Sequence, residues 1–226
     1  MAMTSPAGTT DQRPLPSTAA RKTVGAIRIA AGLLVLAAIV TQITDQLLND
    51  VFVPSEYFSY FTIQSSMMNV VVLLVGGVLA FRFKRDTVVY TGVRSAILVY
   101  ALITAGVYNV LLRGLPPEGY VGVQWPNEVE HVWVPLLILI DWLFSTGRAR
   151  LGYRWLWVAV GYPLLWCAFT LARGAVTGWY PYPFINPATD GWLSVLGYIV
   201  ALAAVIVGLA ALAIRYSRAE WRLRDE

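Results

Sequence analysis

Asn127-Glu128-Val129-Glu130-His131-Val132-Trp133-Val134-Pro135 opens an apolar run that continues Leu136-Leu137-Ile138-Leu139-Ile140. Read as a membrane span, this stretch makes the number of spans in the chain even and puts both termini on one side. Pro135 is compatible with that reading, because few backbone bonds are lost to a proline in the first turns of a helix. The stretch also holds the only histidine of the protein. An ionisable side chain at the start of an apolar run is costly there and marks a functional site by default.

The composition around it supports a membrane. Of 226 residues, 58% are hydrophobic and 13% charged, against about 25% charged in an ordinary soluble domain. The mean hydropathy is +0.61, and Trp and Tyr are abundant, as expected of aromatic anchors at both interfaces. The expected fold is therefore all-α and polytopic. The single cysteine, Cys167, cannot form an intramolecular disulfide and reads as a small core residue. The net charge of +4 is explained by loop arginines and gives no sign of a nucleic-acid partner.

Residues 1–24 are rich in Ser, Thr, Pro and Gly and carry Arg13, Arg21 and Lys22, which predicts a disordered cytoplasmic tail. The apolar run after it is long and lacks a small-residue cleavage site, so it reads as a retained helix rather than a signal peptide. Six spans are expected, at roughly 26–48, 58–81, 93–113, 129–146, 155–173 and 192–214, within a transmembrane domain of residues 25–214. Lys and Arg fall on one side: the tail, the 82–94 loop (Arg82, Lys84, Arg85, Arg94), the 147–154 loop (Arg148, Arg150, Arg154) and the basic segment 215–226. By the positive-inside rule both termini are cytoplasmic. The last segment, with Trp221 among basic residues, is expected to continue the final helix along the inner surface, drawn to anionic lipid. The two halves show no matching interrupted helices of the kind that inverted-repeat transporters carry.

Polar residues gather in the halves of the spans away from the cytoplasm. Span one ends with Thr41, Gln42, Thr44 and Asp45; span two begins with Thr62, Gln64, Ser65 and Ser66, followed by Asn69; span three ends with Asn109 and Arg113; span four begins with Asn127 and His131; span five ends at Arg173. In lipid such groups face the bundle interior or a wet cavity, so an outward-opening polar pocket is expected, floored by Ala, Leu, Val and Ile. Thr62, Ser65, Ser66 and Asn69 stand at i, i+3, i+4 and i+7, and Asn127 and His131 at i and i+4, each set on one helix face. The same groups also suit helix–helix hydrogen bonding.

Chemically, a threonine hydroxyl becomes a nucleophile when a base takes its proton, and histidine serves as that base near neutral pH. A Thr62–His131 pair in a lipid-facing pocket suits ester hydrolysis. Asn69, Gln64 and Asn109 are candidate oxyanion donors, with Ser65, Ser66 and Asn127 beside them, and Asp45 or Glu130 are candidates to orient the imidazole. Catalytic zinc commonly takes several histidines, so no metal is expected, nor any other cofactor. Asp141 lies about 15 Å along the helix from His131 at ~1.5 Å per residue, and is expected to pair with Arg148 near the inner surface.

These residues resemble a known family, the androgen-induced and androgen-dependent TFPI-regulating membrane proteins, multi-pass hydrolases of fatty acid esters of hydroxy fatty acids. The resemblance rests on Tyr60-Phe61-Thr62; on Asn127-x-x-x-His131-x-x-x-Pro135 with the apolar run after it; and on Gly161-Tyr162 through Trp166-Cys167, then Thr177-Gly178-Trp179 and Tyr182-Pro183-Phe184. It implies Thr62 as nucleophile, His131 as base, a lipid ester as substrate, and a distant bacterial-type member in a plasma membrane. Ile63-Gln64-Ser65 departs from the family pattern, and the tail and basic C-terminus fall outside it.

The stretch Trp179-Tyr180-Pro181-Tyr182-Pro183-Phe184 is too rich in proline for a regular helix and suits a rim over the pocket, with Trp179 and Tyr182 as contact candidates. Arg113 and Arg173, at a similar level, are candidates to meet a fatty acid carboxylate. The alternative to an enzyme is a transporter or lipid-binding protein using the same pocket.

Overall fold

The computed structural model describes residues 16–116 and 119–219. The described chain is helical, with no strand among the described residues. Five helical stretches are long and apolar enough to cross a membrane: Thr18–Leu48, Phe61–Arg82, Val88–Leu112, Tyr153–Thr177 and Gly191–Arg218. A further helical stretch, residues 125–144, is broken into short pieces.

Helix α1 (Thr18–Leu48) starts earlier than its hydropathy suggests. The Ser17 hydroxyl accepts from the Ala20 N–H at 3.1 Å, an N-cap that satisfies one of the first-turn amides. Residues 18–24 thus belong to the helix and not to the tail. The rest of the expected tail, and the segment from 220 onward with Trp221, lie outside the described residues. A one-turn helix α2 (Pro54–Tyr57) leads to α3 (Phe61–Arg82), which packs along α1. The contact is close because glycines face each other: a Cβ on Gly77 would stand 2.9 Å from the Gly25 carbonyl. Small residues permit such backbone approach in lipid, where dispersion rather than hydrophobic burial holds helices together.

Helix α4 (Val88–Val107), capped by Thr87, is the central element. It touches α3, α6, α7 and α8, and its Leu98, Val99, Tyr100 and Ala101 are buried in succession, which is what an apolar-all-round helix predicts. It ends in a π-helical turn, Tyr108–Leu112. After the 113–124 connection come α5 (Trp125–Glu128), a second π-helical turn (Val129–Trp133) and α6 (Val134–Phe144). Helix α7 (Leu156–Thr177) stops at Gly178, whose φ of 74° is the left-handed C-cap that glycine allows. Helix α8 (Pro187–Arg218) is kinked at Gly191 (φ 76°). These last two helices are peripheral: 11% and 17% of their apolar windows are buried, against 50% for α4.

The end of the bundle that carries the basic loops is locked by an ionic cluster. Arg21 meets Asp86 at 2.7 Å, Arg94 meets Asp86 at 3.3 Å and Asp141 at 2.7 Å, and Arg28 meets Asp141 at 3.0 Å. Arg28 also donates to the Gly76 carbonyl and Arg94 to the Ser145 hydroxyl. Hydropathy reading put Arg94 in a loop and Asp141 with Arg148. Arg94 is instead inside α4, 3% exposed, and Asp141 lies between Arg28 and Arg94, because α1 and α4 flank α6 at that depth. Arg148 lies over the rings of Trp142 and Tyr216.

Candidate active site

Thr62 is the second residue of α3, at a helix N-terminus where amides lack intrahelical acceptors. The N-cap residue Tyr60 supplies no side-chain cap. Tyr182, far along the chain, does so: its hydroxyl accepts from the Thr62 N–H at 3.3 Å, with the Phe61 N–H beside it. The same hydroxyl lies 3.4 Å from Thr62 Oγ1. Tyr182 is held by ring contacts with Tyr60, Trp166 and Phe184. Burial pushes its phenol up to about 12, so it keeps its proton across the physiological range.

His131 sits in the second π-helical turn. Its Nε2 is 3.3 Å from Thr62 Oγ1, and its Nδ1 is 2.9 Å from the Asn127 carbonyl. A carbonyl oxygen only accepts, so Nδ1 carries the proton and Nε2 of the neutral ring presents a lone pair to the threonine hydroxyl. The ring of Tyr108, from the first π-helical turn, stacks on the imidazole at 4.1 Å and 23°. The Asn127 amide donates to the Tyr108 hydroxyl at 2.5 Å. The two π-helical turns therefore face each other across the histidine. Such turns inside α-helices are frequent at functional sites.

Pro135 explains a further contact. It has no N–H to give to the carbonyl four residues back, which is that of His131. Asn109 supplies a donor instead: its Nδ2 is 3.2 Å from the His131 carbonyl and 2.8 Å from that of Ala105.

Thr62, His131, Tyr108 and Tyr182 line one end of a cavity whose empty volume, open mouth included, is about 830 Å³. Its remaining walls are almost wholly apolar. Val160, Pro163, Leu164 and Cys167 form an i, i+3, i+4, i+7 stripe on α7, and Ile199, Leu202, Ala203 and Ile206 a matching stripe on α8. Thr104 also lines it, with its hydroxyl donated to the Tyr100 and Ala101 carbonyls.

The other sequence candidates stand elsewhere. Asp45 is not an imidazole orienter: it accepts from the Tyr120 hydroxyl and the Val123 N–H, both at 3.1 Å, and ties the segment before α5 to α1. Glu130 points away from the ring of its neighbour, because adjacent helix positions face about 100° apart; it accepts from Gln42 at 3.1 Å and faces Ser66. The orienting acceptor is the Asn127 backbone, which residue-type reasoning cannot reveal. Asn69, Gln64, Ser65, Asn109 and Asn127 do not aim donors at the cavity. Gln64 bonds the Phe58 carbonyl and Tyr162, Ser65 donates to the Thr62 carbonyl, and Asn69 lies two turns deeper on α3. Arg113 pairs with Glu128 and lies over Tyr108 at the rim. Arg173 lies over Trp179, which meets Tyr60 edge to face. Neither arginine lines the cavity. Tyr108 ends the third apolar run beside Asn109, but its residue type gives no sign of a role at the imidazole, since an aromatic at a span end resembles an ordinary interface anchor.

Among the described residues, no three of His, Cys, Asp and Glu stand together so as to hold a metal ion. No family model, curated protein or solved structure matches the chain.

Proposed function

We propose that this protein is an intramembrane lipid-ester hydrolase with Thr62 as nucleophile, His131 as general base and acid, and Tyr182 as oxyanion donor. One observation carries the reading. An unbroken polar line runs from the Asn127 carbonyl through the His131 imidazole to the Thr62 and Tyr182 hydroxyls, at the end of an apolar cavity. Buried polar lines of this kind have a use in acyl transfer that a helix-packing contact lacks.

In the proposed reaction, Thr62 Oγ1 attacks the ester carbonyl as its proton passes to His131 Nε2. The face of Tyr108 stabilises the imidazolium, and Tyr182 donates its proton in a hydrogen bond to the developing oxyanion. The ester C–O bond then breaks, and the departing alcohol takes the proton from Nε2. Water, deprotonated by Nε2, attacks the acyl-threonine and releases the fatty acid, with Thr62 regaining its proton. The substrate class follows the resemblance: fatty acid esters of hydroxy fatty acids, or a related lipid ester. Residues 125–144 serve as a sixth span, and the basic end of the bundle faces the cytoplasm, following the positive-inside rule.

The test is intact-mass analysis after treatment with a fluorophosphonate, together with ester turnover in detergent. The wild type gains one adduct and hydrolyses long-chain esters. Thr62→Ala and His131→Ala lose both activities while melting near wild type. Full activity in Thr62→Ala would remove the nucleophile assignment, and lipid binding without turnover in the wild type would favour the lipid-binding alternative.

A further inference from the structure

The cavity stripes on α7 and α8 face each other, yet their side chains are not sealed. Leu164 is 52% exposed, and Cys167, Leu202 and Ala203 are partly exposed. Two stripes that interdigitated would bury one another. The helices close toward one end, where Pro163 and Ile206 of the stripes and, beyond them, Ala159 and Ala210 are buried. The opening therefore lies on the flank of the bundle, between its two least buried helices, and its lips are Leu164 and Ala203. An aqueous substrate would meet nothing polar there; the polar atoms lie at the inner end, on Thr62, His131, Tyr108 and Tyr182.

Resting on the hydrolase reading for the chemistry at its inner end, we infer that the cleft between α7 and α8 is a lateral portal that admits one acyl chain of a bilayer lipid directly from the hydrocarbon. The apolar chain lies between the stripes, and its ester reaches Thr62 without crossing water. From Ile199 to Ile206 the wall runs about 10 Å at ~1.5 Å per residue, so the far end of a longer chain remains among the surrounding lipids. The connection Trp179–Phe184 covers the water-facing side: Tyr60, Trp179, Tyr182 and Phe184 form a run of ring contacts there.

Cys167 is the only cysteine and lines the cleft, so it reports the route independently of turnover. In phosphatidylcholine proteoliposomes, N-pyrenylmaleimide, which partitions into the bilayer, is expected to label Cys167 at least tenfold faster than a sulfonated maleimide added from water. A hexadecyl ether, which cannot be hydrolysed, slows that labelling. Leu164→Trp and, from the opposite lip, Ala203→Trp each slow it at least fivefold, with melting temperature as the control for folding. Cys167→Ala abolishes the signal. Equal labelling by the water-borne reagent, or no slowing in either tryptophan variant that melts normally, overturns the portal. Ester hydrolysis measured on the same samples separates the two ideas: labelling from lipid without turnover leaves the portal and removes the hydrolase.

Discussion

At the scale of single residues, Tyr182 joins two tasks that are usually separate. It accepts from the amide at the start of α3 and holds its own proton beside Thr62 Oγ1. Removing one oxyanion donor typically costs about 10²-fold to 10³-fold in kcat. Tyr182→Phe is expected to lose about 10²-fold in kcat with little change in KM, and to melt slightly lower through the lost cap. Its phenol is raised from 10.0 to about 12 by burial. The stability tied to that proton is present below about pH 10 and lost as pH climbs through 12. Between about pH 6 and pH 9 the pH–rate curves of wild type and Tyr182→Phe should therefore be parallel; a wild-type limb in that range that the variant lacks would contradict a phenol held protonated there. The nearness of Thr62 and His131 was expected from their matching depth and from the resemblance, and the structure brings the two side chains to 3.3 Å. The imidazole orienter was not legible in the sequence, since a backbone carbonyl has no residue type. Asp45 and Glu130 are suitable by type and depth, but Asp45 is tied to Tyr120 and Glu130 turns toward α1.

At the scale of elements, the π-helical turns decide the geometry. Pro135 removes one backbone donor, and Asn109 supplies another from α4's terminal turn. Asn109→Leu leaves the buried His131 carbonyl short of a partner, at about 1–3 kcal/mol. Pro135→Ala restores an N–H, so adding it to Asn109→Leu should raise the melting temperature more than it does in the wild-type background. Equal effects in the two backgrounds would sever the proposed link. Periodicity located this segment but not its break, because a π-helical turn uses the same residue types as the α-helix around it. The cleft between α7 and α8 carries its own expectation. For esters presented in a bilayer the acyl chain passes from hydrocarbon to an apolar wall, so kcat/KM should change little with chain length. A sharp decline once the ~10 Å wall is filled would indicate a closed end.

At the scale of the whole molecule, the helical class and the placement of five spanning helices were readable from apolar runs. The ionic cluster was not, because arginines near helix ends look like loop charges in a hydropathy profile. Among the described residues it sets three guanidinium groups, Arg21, Arg28 and Arg94, against two carboxylates, Asp86 and Asp141. Breaking a buried pair costs about 3–5 kcal/mol when a charge is left uncompensated. The positive excess makes the two signs unequal: Asp141→Asn should lower thermal stability in detergent by more than Arg28→Gln, and the reverse order would contradict this arrangement. The cluster also has a consequence for biogenesis. Arg28 is inserted with the first span, yet its partner Asp141 is translated 113 residues later. Until then Arg28 has the Gly76 carbonyl within the first hairpin and Asp86 at 3.9 Å, but no second carboxylate. A chain stalled before α6 thus sets the three arginines of the cluster against one carboxylate, Asp86, instead of two. Completion of the fourth helical stretch supplies the second carboxylate, Asp141.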